Sequence, residues 1–86
     1  MIVIHGRGFK KMFKKQPAFV QEKFEVRLSL YTQNTHHPLL DNHALNGEWD
    51  GCRSINITGD VRLVFEEVNE NHIELVAIGT HSELYS

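Results

Sequence analysis

The sequence has few cysteines, few prolines and no long apolar segment. Its 86 residues include one cysteine, Cys52, and two prolines. A single cysteine cannot form an internal disulfide, so the chain does not depend on an oxidising compartment. No run of 18 or more apolar residues occurs, so no membrane-spanning helix is expected. We therefore expect a soluble cytoplasmic protein, with no membrane partner, whose residues 1–86 form one domain.

Motifs that hold metals or nucleotides are also missing. The sequence has no glycine-rich phosphate loop, no Cys-x-x-Cys and no His-x-x-x-His. Six histidines are present, but the neighbours His36 and His37 would point apart on either a helix or a strand. Cys52 stands on a predicted strand, where a lone cysteine is usually a small buried side chain rather than a nucleophile. We expect neither a metal site nor a cofactor.

Charge is distributed unevenly along the chain. The net charge is −2, yet the first 30 residues carry seven basic and two acidic side chains, and the remainder carries two basic and nine acidic ones. Such a basic segment is compatible with a nucleic-acid or acidic partner. A solvated helix face would produce the same pattern, so charge alone leaves both interpretations open.

Apolar periodicity predicts the element order βααβββ. Residues 1–5 are almost continuously apolar, which is typical of a buried first strand. A short basic helix is expected over about residues 8–15, and a second helix from Pro17 to Gln33. The apolar stripe of the second helix is predicted to comprise Val20, Phe24, Leu28 and Tyr31, widened by Val26 and Leu30.

The centre of the predicted sheet is a hairpin over residues 51–65, with a tight turn at Gly59 and Asp60. Glycine accepts the positive φ of such a turn, and aspartate can hydrogen-bond its own backbone. Because strand side chains alternate between faces, one face should be apolar and the other polar. The apolar face would hold Ile55, Ile57, Leu63 and Phe65, and the polar face Ser54, Asn56 and Arg62.

The other segments complete an α+β fold in which two N-terminal helices cover one face of a mostly antiparallel sheet. Residues 34–51 form a long loop, and residues 73–78 form the last strand. The final residues are too few to predict a helix securely. We expect four side chains to anchor the loop to the core while His43 faces outward: Leu39, Leu40, Leu45 and Trp49.

Several side chains suited to phosphodiester chemistry flank the predicted sheet. Two histidines, a carboxylate, a guanidinium and a phenol could meet at one sheet edge. Imidazoles and carboxylates can transfer protons near neutral pH, and arginine can stabilise a phosphorane. The candidate residues are His43, Asp60, Arg62, His81 and Tyr85, joined by Asn56.

Three segments of the chain carry a recognisable pattern: His43-Ala44-Leu45-x-Gly47-x-Trp49-x-Gly51-x-Arg53-Ser54-Ile55, Gly59-Asp60-x-Arg62-Leu63-Val64-Phe65 and Ile78-Gly79-Thr80-His81-Ser82-Glu83-Leu84-Tyr85. They resemble the RelE superfamily of bacterial type II toxins, and in particular its YafQ branch. The resemblance implies a ribonuclease that cleaves messenger RNA in the ribosomal A site and is silenced by a cognate antitoxin.

The resemblance also implies a role for each candidate. His43 matches the loop histidine of the family, Asp60 its turn aspartate and His81 its C-terminal histidine. Arg62 matches the strand arginine of the RelE branch, which holds the scissile phosphate. We expect His81 to be the general acid and His43 or Asp60 the general base. Tyr85 matches a terminal aromatic residue that would stack on or orient a base. Which of His43 and Asp60 is the general base stays open.

Two positions depart from the YafQ pattern. Asn56 stands where that branch has a histidine, and Val61 where it has a tryptophan. An asparagine can bind substrate but cannot transfer a proton near neutral pH. The main hypothesis is a metal-independent endoribonuclease, because the other candidates are intact: His43, Asp60, Arg62, His81 and Tyr85. The alternative is a catalytically weak homologue that binds an antitoxin and, as that complex, operator DNA.

Overall fold

The computed structural model describes residues 1–85 and contains three α-helices and five β-strands. The strands are β1 (Ile2–His5), β2 (His43–Ala44), β3 (Arg53–Asn56), β4 (Val61–Asn69) and β5 (His72–Thr80); the helices are α1 (Arg7–Lys14), α2 (Ala18–Gln33) and α3 (His81–Tyr85). The predicted α+β class is confirmed, with β2 and α3 as additional elements. No helix in the described residues is long and apolar enough to cross a membrane.

The five strands form one sheet in the order β1-β5-β4-β3-β2. β1 runs parallel to β5, and the other neighbours are antiparallel. The prediction of a buried β1 is wrong, because β1 is an edge strand with helices over only one face. Val3 packs against the core, whereas Ile2 on the opposite face is 59% exposed.

The main core lies between the helices and one face of the sheet. The four predicted strand residues, Ile55, Ile57, Leu63 and Phe65, all belong to it. The helices contribute aromatic side chains, and the ring of Tyr31 meets that of Phe65 edge-on at a centroid distance of 5.0 Å. Val26 does not widen the helix stripe and is 60% exposed. It lies two residues after Phe24, a rotation of about 200° around the helix, and so points to solvent.

The opposite face of the sheet carries a second, smaller apolar cluster, which corrects the prediction of a polar face. Val64, Ala77 and Leu84 are buried there. Leu45 and Trp49 pack against them, because α3 and the segment before β3 fold over this end of the sheet. Three of the four predicted loop anchors are therefore correct. Leu39 is wrong, since it is 57% exposed while its neighbour Leu40 fills the main core.

The turn between β3 and β4 also differs from the prediction. Residues 57–60 connect the strands, and Gly59 is not among the residues with positive φ. Thr58 stabilises the turn instead, since its hydroxyl accepts a hydrogen bond from the Val61 N–H at 3.1 Å and donates one to Asp60 Oδ1 at 3.2 Å. The turn is therefore stabilised by the hydrogen bonds of a short polar side chain, and not by a glycine with positive φ as predicted.

Candidate active site

Sheet register brings three of the predicted residues to one face. Arg62 pairs with Asn56 on one side and with Gly79 on the other, and His43 pairs with Ser54. Directly paired residues of an antiparallel sheet share a face, as do residues two apart on one strand. His43, Asn56 and Arg62 therefore lie on the face opposite α1 and α2.

His43 is held in a defined tautomer by the residue two positions before it. Its Nδ1 lies 2.7 Å from the backbone carbonyl oxygen of Asp41. A carbonyl oxygen can only accept, so Nδ1 carries the proton, and the lone pair of a neutral ring is on Nε2. Asp41 adopts a left-handed φ of 47° to form this turn. The half-exposed ring thus has a basic nitrogen free to take a proton.

The guanidinium of Arg62 lies against the β3–β4 turn. Its Nη1 donates to the Gly59 carbonyl oxygen at 3.1 Å and has longer contacts, of 3.4 Å, with two neighbouring carbonyls. These bonds orient the planar group, and no hydrogen bond within residues 1–85 uses its Nε or Nη2. Asp60 is exposed and accepts the Thr58 hydroxyl bond. A phosphate could therefore use the remaining N–H donors of Arg62.

Asn56 has an acceptor without a donor. In the described part of the chain, its Oδ1 is the one buried side-chain polar atom that lacks a hydrogen-bond partner. Leaving such an atom unpaired costs about 1–3 kcal/mol. Asn56 is directly paired with Arg62 across β3 and β4.

His81 and Tyr85 occupy helix α3, which the sequence prediction missed. Their rings are in contact across one turn, with centroids 4.7 Å apart and ring planes inclined by 44°. The signal that could have revealed the helix is Thr80-x-x-Glu83, a capping box. Both of its bonds are present: the Thr80 N–H donates to Glu83 Oε1 at 2.7 Å, and the Glu83 N–H donates to Thr80 Oγ1 at 3.2 Å.

The predicted residues thus form two groups. His43, Asn56 and Arg62 lie on the sheet face with Asp60 in the adjoining turn, and the α3 pair follows the end of β5. Within residues 1–85, no hydrogen bond or ion pair joins the first group to His81 or Tyr85. A molecule that contacted both groups would therefore touch side chains from the sheet and from α3.

Other chemically suggestive features lie outside these groups. Burial, and secondarily the charge of Glu66, raises the pKa of the Cys52 thiol, which disfavours the nucleophilic thiolate.

A cavity of about 260 Å³ lies beside Tyr31 and Glu67, and none of the candidate site residues lines it. Burial, and then Glu67, raises the pKa of Tyr31 to about 12. Residues 1–85 contain no group of three or more histidine, cysteine or acidic side chains placed to hold a metal ion.

Comparison with solved structures identifies relatives of this fold. A copper-bound mutant toxin from Helicobacter pylori is 30% identical, with 99% of each chain covered and a TM-score of 0.71. YafQ from E. coli is 20% identical, with 98% of this chain and 97% of YafQ covered and a TM-score of 0.77. The E. coli DinJ–YafQ toxin–antitoxin complex contains a chain that is 21% identical, with 98% and 96% covered and a TM-score of 0.74.

A family model described as the bacterial toxin of the type II toxin–antitoxin system, YafQ, matches residues 5–86. The search of curated proteins found no match. The family match spans all the candidate residues and nearly the whole chain. The chain therefore belongs to the YafQ family of bacterial type II toxins.

Proposed function

We propose that residues 1–86 act as a single-domain, ribosome-dependent endoribonuclease that cleaves messenger RNA in the cytoplasm. The observation that carries the proposal is the tautomer of His43. Its Nδ1–H is bound to the Asp41 carbonyl, which leaves Nε2 as a base on the same sheet face as Arg62. A base and a guanidinium on one face of a sheet suit attack by a ribose hydroxyl on a phosphate bound between them.

In the proposed reaction the RNA 2′-hydroxyl attacks the adjacent phosphorus, and His43 Nε2 takes its proton. Arg62 stabilises the negative charge of the phosphorane. The bond to the 5′-oxygen then breaks, and His81 as imidazolium donates a proton to the leaving oxygen. The products are a 2′,3′-cyclic phosphate and a 5′-hydroxyl. We assign the role of general base to His43 rather than to Asp60. Nε2 of His43 has no hydrogen-bond partner in residues 1–85, whereas Oδ1 of Asp60 accepts the Thr58 hydroxyl bond.

Tyr85 and Asn56 are proposed to bind substrate. The half-buried ring of Tyr85 offers a stacking surface for a splayed base, as aromatic side chains do in RNA recognition. Asn56 is partly buried and directly paired with Arg62, and its side-chain amide can donate a hydrogen bond to a phosphate. We expect Asn56→Ala to raise the KM for ribosome-bound mRNA more than it lowers kcat. An equal loss in kcat would instead place Asn56 among the groups that act in the transition state.

The alternative function is that of an antitoxin-binding module that represses operator DNA as a complex. Asn56 and Val61, which stand where the YafQ branch has histidine and tryptophan, favour it. Expression of the chain alone separates the two functions, since only the endoribonuclease should arrest bacterial growth and cut mRNA on ribosomes.

Product chemistry and metal dependence test the mechanism. We expect cleavage products with 2′,3′-cyclic phosphate ends, formed at an unchanged rate when EDTA is added below the level that dissociates ribosomes. The copper-bound state of the Helicobacter pylori relative makes this control necessary. Loss of cleavage on chelation, restored by added metal, would contradict a mechanism carried by His43 and His81 alone.

The E. coli relative forms a toxin–antitoxin complex with DinJ, and we propose that a cognate antitoxin binds this chain as well. An acidic segment would dock across α1 or the neighbouring sheet edge. α1 and the residue after it expose four lysines and lack acidic side chains: Lys10, Lys11, Lys14 and Lys15.

Because unlike charges accelerate encounter, the antitoxin association rate should fall about 10-fold or more as ionic strength rises from low to high. Stopped-flow measurement over a salt series checks this. Replacing the four lysines with glutamine should flatten the salt dependence, whereas Lys23→Gln on α2 should change it little. A rate insensitive to salt would show that apolar burial, rather than α1 charge, drives the encounter.

A further inference from the structure

Helix α3 is too short to be stable by itself. It has five residues, whereas isolated helices shorter than about 12–15 residues are marginal in water. It nevertheless carries His81 and Tyr85. The geometry of these two side chains must therefore come from the contacts that attach α3 to the rest of the fold.

The first attachment is at the start of the helix. The reciprocal bonds between Thr80 and Glu83 satisfy two backbone N–H groups that would otherwise lack partners. Gly79 makes room for this arrangement, because a Cβ on Gly79 would lie 2.9 Å from Glu83 Oε1 and 3.1 Å from Glu83 Cβ. The Glu83 side chain thus sits directly over Gly79, which is paired with Arg62.

The second attachment is at the end of the helix. The indole N–H of Trp49 donates to the Leu84 carbonyl oxygen at 3.0 Å, which satisfies a terminal carbonyl. Leu84 is buried in the smaller apolar cluster, and Trp49 packs against the same cluster. Trp49 lies between β2, which carries His43, and β3, so its indole attaches α3 to the segment that follows β2.

We propose that Glu83 and Trp49 clamp α3 from its two ends and are positioning residues for His81 and Tyr85. This inference rests on the proposed ribonuclease function. Glu83 acts through its accepting oxygen on the Thr80 N–H, and Trp49 acts through its donor on Leu84. Neither side chain takes part in proton transfer to or from the RNA.

Variants at Glu83 separate positioning from chemistry. Glu83→Gln keeps an oxygen that can accept from Thr80 but cannot exchange a proton near neutral pH, and Glu83→Ala removes the bond. The matched control is Ser82→Ala, at an exposed neighbouring position. In single-turnover cleavage on ribosomes we expect Glu83→Ala to be slower by about 3- to 30-fold, the effect of losing a helix cap. Glu83→Gln and Ser82→Ala should cleave within about twofold of the parent protein.

Fluorescence supplies a readout that does not depend on cleavage, because Trp49 is the only tryptophan in the chain. Glu83→Ala should shift the Trp49 emission towards that of a solvated indole, and Glu83→Gln should leave it unchanged. If the parent protein cleaves no RNA, the proposed function fails, yet the emission spectra still test the clamp.

Two results would overturn the inference. Parent-like emission for Glu83→Ala would show that Glu83 does not hold α3. Slow cleavage by Glu83→Gln with parent-like emission would show that the carboxylate acts in the chemistry.

Trp49→Phe tests the other end of the helix. It keeps an aromatic ring and loses the N–H donor, so it should increase amide hydrogen exchange in α3. Unchanged exchange would remove Trp49 from the clamp.

Discussion

His81→Gln is expected to slow single-turnover mRNA cleavage on ribosomes by about 10²- to 10⁴-fold, the usual contribution of a general acid. Glutamine can donate a hydrogen bond but cannot deliver a proton near neutral pH. Ribosome binding should remain close to that of the parent protein, because His81 is exposed at the start of α3 and is not part of the core. Rapid-quench cleavage and a separate ribosome-binding measurement check the two halves of this prediction.

The matched control is His36→Gln. His36 is an exposed histidine of the segment after α2, so the same substitution there should change cleavage by less than about twofold. An active His81→Gln variant would remove His81 from the proposed mechanism. Loss of cleavage together with loss of ribosome binding would instead assign it a role in binding.

The second large effect concerns stability. Leu63→Ala should lower the free energy of unfolding by about 2–5 kcal/mol, the range for truncating a fully buried leucine. Leu63 is completely buried between the central strands and the helices. Urea denaturation followed by circular dichroism would measure the change, since the unfolding free energy varies linearly with denaturant.

Leu39→Ala provides the comparison, because it removes the same atoms from a side chain that is 57% exposed. We expect a change within about 0.5 kcal/mol, as for other surface substitutions. Similar effects at the two leucines would mean that the helices do not pack on the face of the sheet that bears Leu63.

Periodicity was sufficient where one physical effect dominated. Ile55 and Ile57 alternate with polar neighbours, and apolar residues recur at helical spacing within each helix, as Phe9 and Phe13 do in α1 and Val20 and Phe24 in α2, so apolar burial alone determines which face of each element points inward. The same reasoning predicted α1, α2 and the α+β class. The candidate residues were identified by their chemical types and by the family resemblance, and their catalytic roles stay predictions.

Periodicity failed where position in the sheet or a single polar contact decided the outcome. An apolar run such as residues 1–5 suits either a central or an edge strand, and only the pairing of β1 with β5 alone makes Ile2 exposed. The turn after β3 depends on the Thr58 hydroxyl, a local bond that competes with the expected glycine conformation.

The sequence by itself thus determined the fold class, the apolar faces of the central hairpin and of the two N-terminal helices, and the list of candidate acid–base side chains. Only the tertiary structure decided how those side chains are presented. α3 carries too few residues to be stable alone, and it forms because Trp49 and Val64, distant in sequence, meet Leu84. Short elements depend on such contacts because local propensity cannot offset the conformational entropy lost in ordering them.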